Sequence, residues 1–500
     1  MSWKYKEILE VMRGGNFSHH FKDSLHGIER EGLRVNGKGE MSMAPHPEAF
    51  GSALTNPYIN TDFSESQLEL ITPPFKTEKK TIEFLGEIES YVQKHLKNEF
   101  IWSPSMPCIL PKKESDIPLA QYGDSDIAKK KTLYREGLGH RYGRRMQTIS
   151  GMHYNFSFSK DFWKDLKKKF VPEKDLQAFI DEGYMRIMRN FLRMSWLDVY
   201  LFGSSPAIDK SYIETSKRPL KKLGKRTYYA EHATSLRMSS FGYCCSTQKE
   251  LEVSHNSLDE YVKDIKNAVL RPYSGYEEYG EKQINSNYLQ TSREYYSPIR
   301  AKQKAGLEED PIEELSRKGI MYLELRSGDL DPFSTCGVDI EQMYFFHILT
   351  IYLLTQSAQE LSPDEQKNCA RNHNKVAIYG RKKGLKLIKK NKEVELKKWG
   401  IEEIKNMLAV AQLLDEEHKT SRYSQNLNNQ IQKLNDPEKT PSANILSILK
   451  KEKIEFIDFG LRRTKENSEF YKITKIPKDV EAKFLKEVKN SFKEKDLLES

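Results

Sequence analysis

The cleanest alternation in the chain runs from Met152 to Phe158. Met152, Tyr154, Phe156 and Phe158 fall on one side and His153, Asn155 and Ser157 on the other, which predicts a strand with an apolar back and a polar front. The same two-residue period recurs elsewhere. Between Gly27 and Val35 it places Glu29 and Glu31 on one face, about 7 Å apart at ~3.4 Å per residue. In Thr61–Thr72 it sets Leu68 and Leu70 against Gln67, Glu69 and Ile71, and Pro73-Pro74 stops the element. In Gly319–Ser327, Met321, Leu323 and Leu325 alternate with Tyr322, Glu324 and Arg326. Residues 283–290 and 295–300 read as two further short strands.

Helical spacing governs most of the rest. Ile82, Leu85, Ile88, Val92 and Leu96 mark a helix over 77–98, and Tyr134 and Leu138 sit one turn apart on a helix over 131–142. Residues 173–200, 257–270 and 340–358 are also helical, as are amphipathic stretches near 401–418 and 479–495. Residues 1–22 read as a short helix and an exposed connection with a surface His19-His20 pair, and 211–232 as a basic loop. Strands with one apolar and one polar face predict an α+β fold, an antiparallel sheet covered by helices on one side. The other face must open to water or curl round a polar cavity.

Composition narrows the function without naming it. The 500 residues hold 81 Lys+Arg against 72 Asp+Glu, a surplus of +9 that suits anionic ligands. No nucleic-acid motif accompanies it. Lys382-Lys383, Lys389-Lys390 and Lys397-Lys398 read as a solvated helix face, so no nucleic-acid partner is expected. Five cysteines (Cys108, Cys244, Cys245, Cys336, Cys369) lack metal-type spacing, and adjacent Cys244-Cys245 fits a reduced compartment. The N-terminus has no signal-peptide core, and the most apolar run, Phe345–Leu354, is about half a membrane span. A soluble cytoplasmic protein without a membrane partner is expected.

The chemistry lies on the polar strand faces. Two carboxylates as close as Glu29 and Glu31 repel unless a positive charge sits between them. Read alone, the pair is also compatible with a solvated face balanced by Arg30 and Arg34. Asp62, Glu65, Glu69, His153 and Glu324 on further strands of the same one-sided polarity point instead to a shared cavity, with Arg326, Arg237 and Arg300 nearby. Many carboxylates around one cavity are most simply reconciled by Mg²⁺ or Mn²⁺, with arginines adding phosphate contacts. GxxxxGK[ST], a post-strand GxGxxG and HExxH are all absent, so a nucleotide would be held by metal and arginine rather than by a glycine-rich loop.

Several motifs carry a family likeness: Ile28-Glu29-Arg30-Glu31-Gly32-Leu33-Arg34-Val35, Gly51–Thr55, Thr61–Glu65, Ser105–Cys108, Lys131–Leu138, Gln147–Ser157, Tyr200–Gly203, Ala233–Arg237, Gln283–Leu289 and Tyr322–Ser327. Their sequence, in collinear order from about residue 25 to 385, closely resembles the bacterial type of glutamate–cysteine ligase. Beyond that only Ser442–Leu446 looks familiar. The resemblance implies a glutamine-synthetase-like sheet curved into a funnel in a catalytic domain over 1–385, with a Lys-rich helical region over 386–500. It implies ATP-dependent joining of the γ-carboxylate of L-glutamate to the amine of L-cysteine, the first step of glutathione synthesis, through a γ-glutamyl phosphate. Another amine acceptor is the alternative. Two or three Mg²⁺ or Mn²⁺ ions would be held by Glu29, Glu31, Asp62, Glu69, His153 and Glu324. By the same resemblance Arg326 and Arg135 meet the transferred phosphate. Tyr134, Leu138, Gln147, Arg237, Tyr243 and Tyr296 form the cysteine pocket, and Asn155 orders the polar face. Glutathione is a further ligand of interest through feedback. Residues 244–256 and 301–317 diverge from the family, as does the Lys-rich end. A second, glycine-adding domain is not expected.

Overall fold

A computed structural model describes residues 5–14, 17–213, 220–243 and 247–500. The vicinal Cys244-Cys245 pair lies outside these. The strands are β1 (Leu25–Asn36), β2 (Ile59–Thr61), β3 (Gln67–Ile71), β4 (Glu99–Ile101), β5 (Met152–Ser157), β6 (Ala207–Asp209), β7 (Lys221–Leu223), β8 (Thr227–Tyr229), β9 (Ile299–Lys302), β10 (Tyr322–Gly328), β11 (Lys386–Lys389) and β12 (Lys392–Glu395). β2-β3-β1-β5-β10-β9 form one antiparallel sheet, with β4 paired to the far end of β1.

Register turns the alternating pattern into two faces. Ile28, Tyr154 and Leu325 lie side by side across three strands, as do His26, Phe156 and Leu323. On the other face Glu31 stands opposite Glu69, Glu29 opposite His153, and Asn155 opposite Glu324, itself opposite Arg300. Directly opposed residues share a face, so the acids, the histidine and the arginine converge in front.

Helices Leu176–Phe202 and Ile340–Thr355 close the back. Tyr154 stacks on Phe346 with ring centroids 5.3 Å apart, and Phe158 meets Tyr184 at 6.4 Å. The Ile340–Thr355 helix is apolar all round and buried along nearly its whole length, because helices Leu396–His418 and Arg422–Asn435 cover its far side. The Lys-rich end thereby enters the core. Leu396, Trp399, Ile404, Met407, Leu414 and Phe484 belong to the same apolar cluster as the sheet's back. Helix Phe456–Ile473 lies against helix Glu78–His95, and Gly460 passes so close to Trp102 that a Cβ there would come within 2.2 Å of the indole.

Four sequence expectations change. Residues 283–290 form no strand, because their polar side chains satisfy the backbone locally: Asn285 Oδ1 accepts from the Asn287 amide and Gln290 Oε1 from the Ile284 amide. The basic stretch 211–232 carries the hairpin β7–β8, which pairs with β6; residues 214–219 lie outside the described set. Thr61–Thr72 is a tight hairpin, not one strand, and its turn sends Glu65 away from the front. That buried carboxylate accepts from the His46 and Gln121 amides. His20 is buried, with Nε2 3.0 Å from Asp165 and its ring 5.2 Å from Phe17, because the Ser18–Asp23 turn folds onto the core.

Candidate active site

On the front face His153 sits among three carboxylates. Its Nδ1 is 3.2 Å from Glu29 Oε2 and 3.8 Å from Glu324 Oε1, and its Nε2 is 3.6 Å from Glu31 Oε1. Asn155 Nδ2 donates to Glu29 Oε1 at 2.9 Å, and the Gly151 amide donates to Glu31 Oε2 at 2.8 Å. Arg326 Nη1 lies 3.1 Å from Glu324 Oε2. The shift in pairing between Leu325 and Gly328 breaks the β10 ladder next to Arg326.

The charge balance is uneven across the cluster. Burial raises Glu69 well above the usual carboxylate range, and the charges of Glu29, Asp62 and Glu31 push it further. Burial also raises Glu31, against the pull of His153. Burial opposes ionisation of Glu324 too, but Lys302, Arg326 and His153 hold it far below that range. One side of the cluster therefore repels itself and the other is saturated with cations. Donor atoms of Glu29, Glu69 and His153 lie within 4.8 Å of one another. An oxygen-rich set with one imidazole and excess negative charge fits Mg²⁺ or Mn²⁺.

At the β2–β3 turn, Arg135 donates to the Asp62 carbonyl and packs 4.6 Å over the Tyr122 ring. Lys131, one turn earlier on helix Asp126–Tyr142, lies 4.5 Å over the same ring. Burial and the neighbouring Arg135 lower its ammonium to about 7. A cationic edge thus borders the acidic cluster.

A cavity of about 750 Å³ opens beside His153 and Arg326 and runs past Arg237, Tyr243, Gln248 and Tyr296. Arg237 Nη2 donates to the Arg326 carbonyl at 3.0 Å, and Gly151 makes room for it, since a Cβ there would meet the guanidinium at 2.1 Å. The Tyr243 hydroxyl donates to the Ile149 carbonyl at 2.7 Å, and Gln147 Nε2 to the Tyr296 hydroxyl at 3.0 Å. Tyr134 and Leu138 join the apolar cluster that includes Tyr243 and Tyr296 without lining the cavity.

Lys302 and Asp329, like Lys131 and Gln248, were not among the sequence candidates. Lys302 Nζ is 3.3 Å from Glu324 Oε1; the alternation of Ile299 and Ala301 with Arg300 and Lys302, followed two residues further, would have found it. Buried Asp329 lies 3.7 Å from Arg237 and accepts from the Ser205 and Ser235 hydroxyls at 2.7 and 2.9 Å. It follows β10, where no periodic signal reaches.

The glutamate–cysteine ligase family model matches residues 9–376. The glutamate–cysteine ligase of Alcanivorax borkumensis is 41% identical over 87% of this chain and 85% of its own, and that of Pseudomonas fluorescens 40% identical over 95% and 90%. The crystal structure of the Francisella tularensis glutamate–cysteine ligase in complex with AMP superposes with a TM-score of 0.89 at 33% identity, covering 95% of this chain and 94% of that one. A bifunctional glutathione synthetase from Pasteurella multocida superposes at 0.72 and 25% identity, covering 93% of this chain and 53% of its own. The chain belongs to the glutamate–cysteine ligase family.

Proposed function

We propose that the front-face cluster makes this chain an enzyme joining the γ-carboxylate of L-glutamate to the amine of L-cysteine at the expense of ATP. The observation that carries the reading is the convergence of Glu29, Glu69 and His153 donor atoms, with His153 and Arg326 lining the cavity. The AMP bound to the Francisella relative supports a nucleotide as co-substrate.

Glu29, Glu31, Asp62, Glu69, His153 and Glu324 would hold two or three Mg²⁺ or Mn²⁺ ions. Bound there, such ions neutralise phosphate charge and polarise the phosphoryl group. Arg326 and Arg135 supply the remaining positive charge. Phosphoryl transfer needs chiefly positioning and charge stabilisation, and a half-buried guanidinium braced by Glu324 offers both. A γ-carboxylate oxygen attacks the terminal phosphorus of ATP and ADP leaves. The cysteine amine then attacks the resulting acyl phosphate, and inorganic phosphate departs with that oxygen. Arg237, Tyr243 and Tyr296 face the cavity where the second amino acid would sit, with Gln147 steadying the Tyr296 hydroxyl. Tyr134 and Leu138 support that wall, and Asn155 orients Glu29. Glutathione, which contains the product, would compete for this space. Free Cys108, Cys336 and Cys369 suit a reducing, cytoplasmic setting, and among the described residues no helix is long and apolar enough to cross a membrane.

The test is ADP release with ATP, Mg²⁺ and glutamate while the amine acceptor is varied. Cysteine should give the highest kcat/KM. A higher value with another amine would replace the proposed acceptor while keeping the phosphorylation step; no glutamate-dependent ADP release would remove the reading.

A further inference from the structure

On the other side of the sheet, a second group of ligating side chains meets in the core. His26 of β1, Glu78 at the start of helix Glu78–His95 and His347 of helix Ile340–Thr355 are 0%, 2% and 0% exposed. Donor atoms of the three lie within 4.8 Å of one another. His347 Nδ1 is 2.7 Å from Glu78 Oε1, the Tyr423 hydroxyl donates to the same oxygen at 3.1 Å, and His26 Nδ1 is 2.6 Å from the Tyr154 hydroxyl. The Nε2 atoms of both histidines are buried without a hydrogen-bond partner.

Protons alone do not resolve this arrangement. Among the described residues His347 is the only ion-pair partner of Glu78, with no lysine or arginine in contact. If His347 is neutral and gives its Nδ1 proton to Glu78, its Nε2 is a buried acceptor without a donor. If it is an imidazolium, Nε2–H is a buried donor without an acceptor. Native interiors seldom leave such atoms unpaired. A cation between the two imidazoles and the carboxylate takes the open Nε2 of His26, a Glu78 oxygen and His347 Nδ1, and supplies the positive charge that no lysine or arginine brings to Glu78. His26 already shows the arrangement usual for a ligating imidazole, one nitrogen anchored on an oxygen and the other open.

We propose that His26, Glu78 and His347 form a buried structural site for an imidazole-favouring divalent cation, Zn²⁺ foremost. Two histidines and one carboxylate are a donor set of zinc with a water in the fourth position, whereas Mg²⁺ favours oxygen ligands and keeps several waters. Tetrahedral coordination at ~2.1 Å puts donors about 3.4 Å apart, so the widest pair closes by about an ångström while His347 Nδ1 and Glu78 Oε1, at 2.7 Å, open to admit the ion. The site would tie β1 to two helices on the face opposite Glu29, three residues along the same strand. Its burial means the ion enters as the chain folds.

Co²⁺ is the probe, added to the full-length chain as it refolds in saturating Mg²⁺, which occupies the front cluster and is colourless. One equivalent should give the intense visible absorption of four-coordinate Co²⁺. Glu29→Gln should retain it, while His347→Gln and His26→Gln should weaken Co²⁺ binding by at least about 10–100-fold, the loss seen even for outer-shell changes. Only weak six-coordinate absorption, or a band lost in Glu29→Gln and kept in His347→Gln, overturns the site. Should the histidine variants fail to fold, Glu29→Gln protein, with its front cluster disabled, refolded with one equivalent of Zn²⁺ in excess Mg²⁺ decides the matter. Stoichiometric zinc after desalting, with a melting temperature raised over metal-free refolded protein, supports the proposal, and zinc-free protein of equal melting temperature ends it.

Discussion

Replacing Glu324 with glutamine keeps its shape and removes its charge. The side chain is 1% exposed, with Arg326 at 3.1 Å, Lys302 at 3.3 Å and His153 at 3.8 Å. At an effective dielectric of 20 each opposite-charge contact of about 4 Å is worth about 4 kcal/mol. Much of that is offset because a buried carboxylate no longer has to be desolvated. Losing the net of one contact, together with a donor for a hard cation, leaves about 3 kcal/mol at the transition state, more than a 100-fold fall in kcat. The assay is the initial rate of ADP release at saturating ATP, glutamate and cysteine, repeated across Mg²⁺ concentration, with a thermal melt of each protein. The melting temperature should stay close to wild type, with kcat more than about 100-fold lower at ordinary Mg²⁺ and partly recovered at high Mg²⁺. A kcat within a few-fold of wild type at ordinary Mg²⁺ would refute the assignment. A melting temperature that collapses with the rate would place Glu324 in the fold instead.

Three further expectations follow from other parts of the structure. Tyr243→Ala removes a ring that faces the cavity and spans to Ile149, and should raise KM for cysteine at least about 10-fold more than KM for glutamate, by steady-state kinetics; equal effects would take Tyr243 out of the pocket. Asp329→Asn should loosen Arg237, which it neutralises at 3.7 Å, raising KM for cysteine while kcat changes less than about 3-fold; a kcat-only loss would contradict that positioning role. Burial, with Arg34 adding, lowers His46 to about 3, and burial lowers His255 to about 4. Both are depressed below the unfolded value of 6.5, so their stability is present above pH 6.5 and lost as pH falls towards those values. Each costs roughly 2 kcal/mol at pH 5, so chemical denaturation should show a protein markedly weaker at pH 5 than at pH 7; equal stability at the two would contradict this.

The sheet and its polar front were legible because the two-residue period reports burial directly. Met152 to Phe158 packs its odd and even positions against different media, and Glu29, Glu31, Glu69 and Glu324 share a face by register alone. Glu65 misled for the same reason: alternation carried past the real turn put it in a strand, whereas two backbone amides claim its carboxylate. Residues 283–290 misled because strand propensity does not register side chains that bond their own backbone. Arg237 was legible as one of the arginines near the cavity, but its place in the cysteine pocket came only through family likeness, since what fixes it is contact over long sequence distance, with Asp329 and the Arg326 carbonyl. The back cluster was invisible, because His26, Glu78 and His347 each look like an ordinary member of its own element.

If this front face phosphorylates a carboxylate, an oxygen of that carboxylate must leave with the phosphate. Glutamate labelled with ¹⁸O in its γ-carboxylate, incubated with ATP, Mg²⁺ and cysteine, tests it most directly by mass spectrometry of the inorganic phosphate. Each phosphate released should carry one ¹⁸O atom. Phosphate formed in step with the dipeptide but free of ¹⁸O would contradict it.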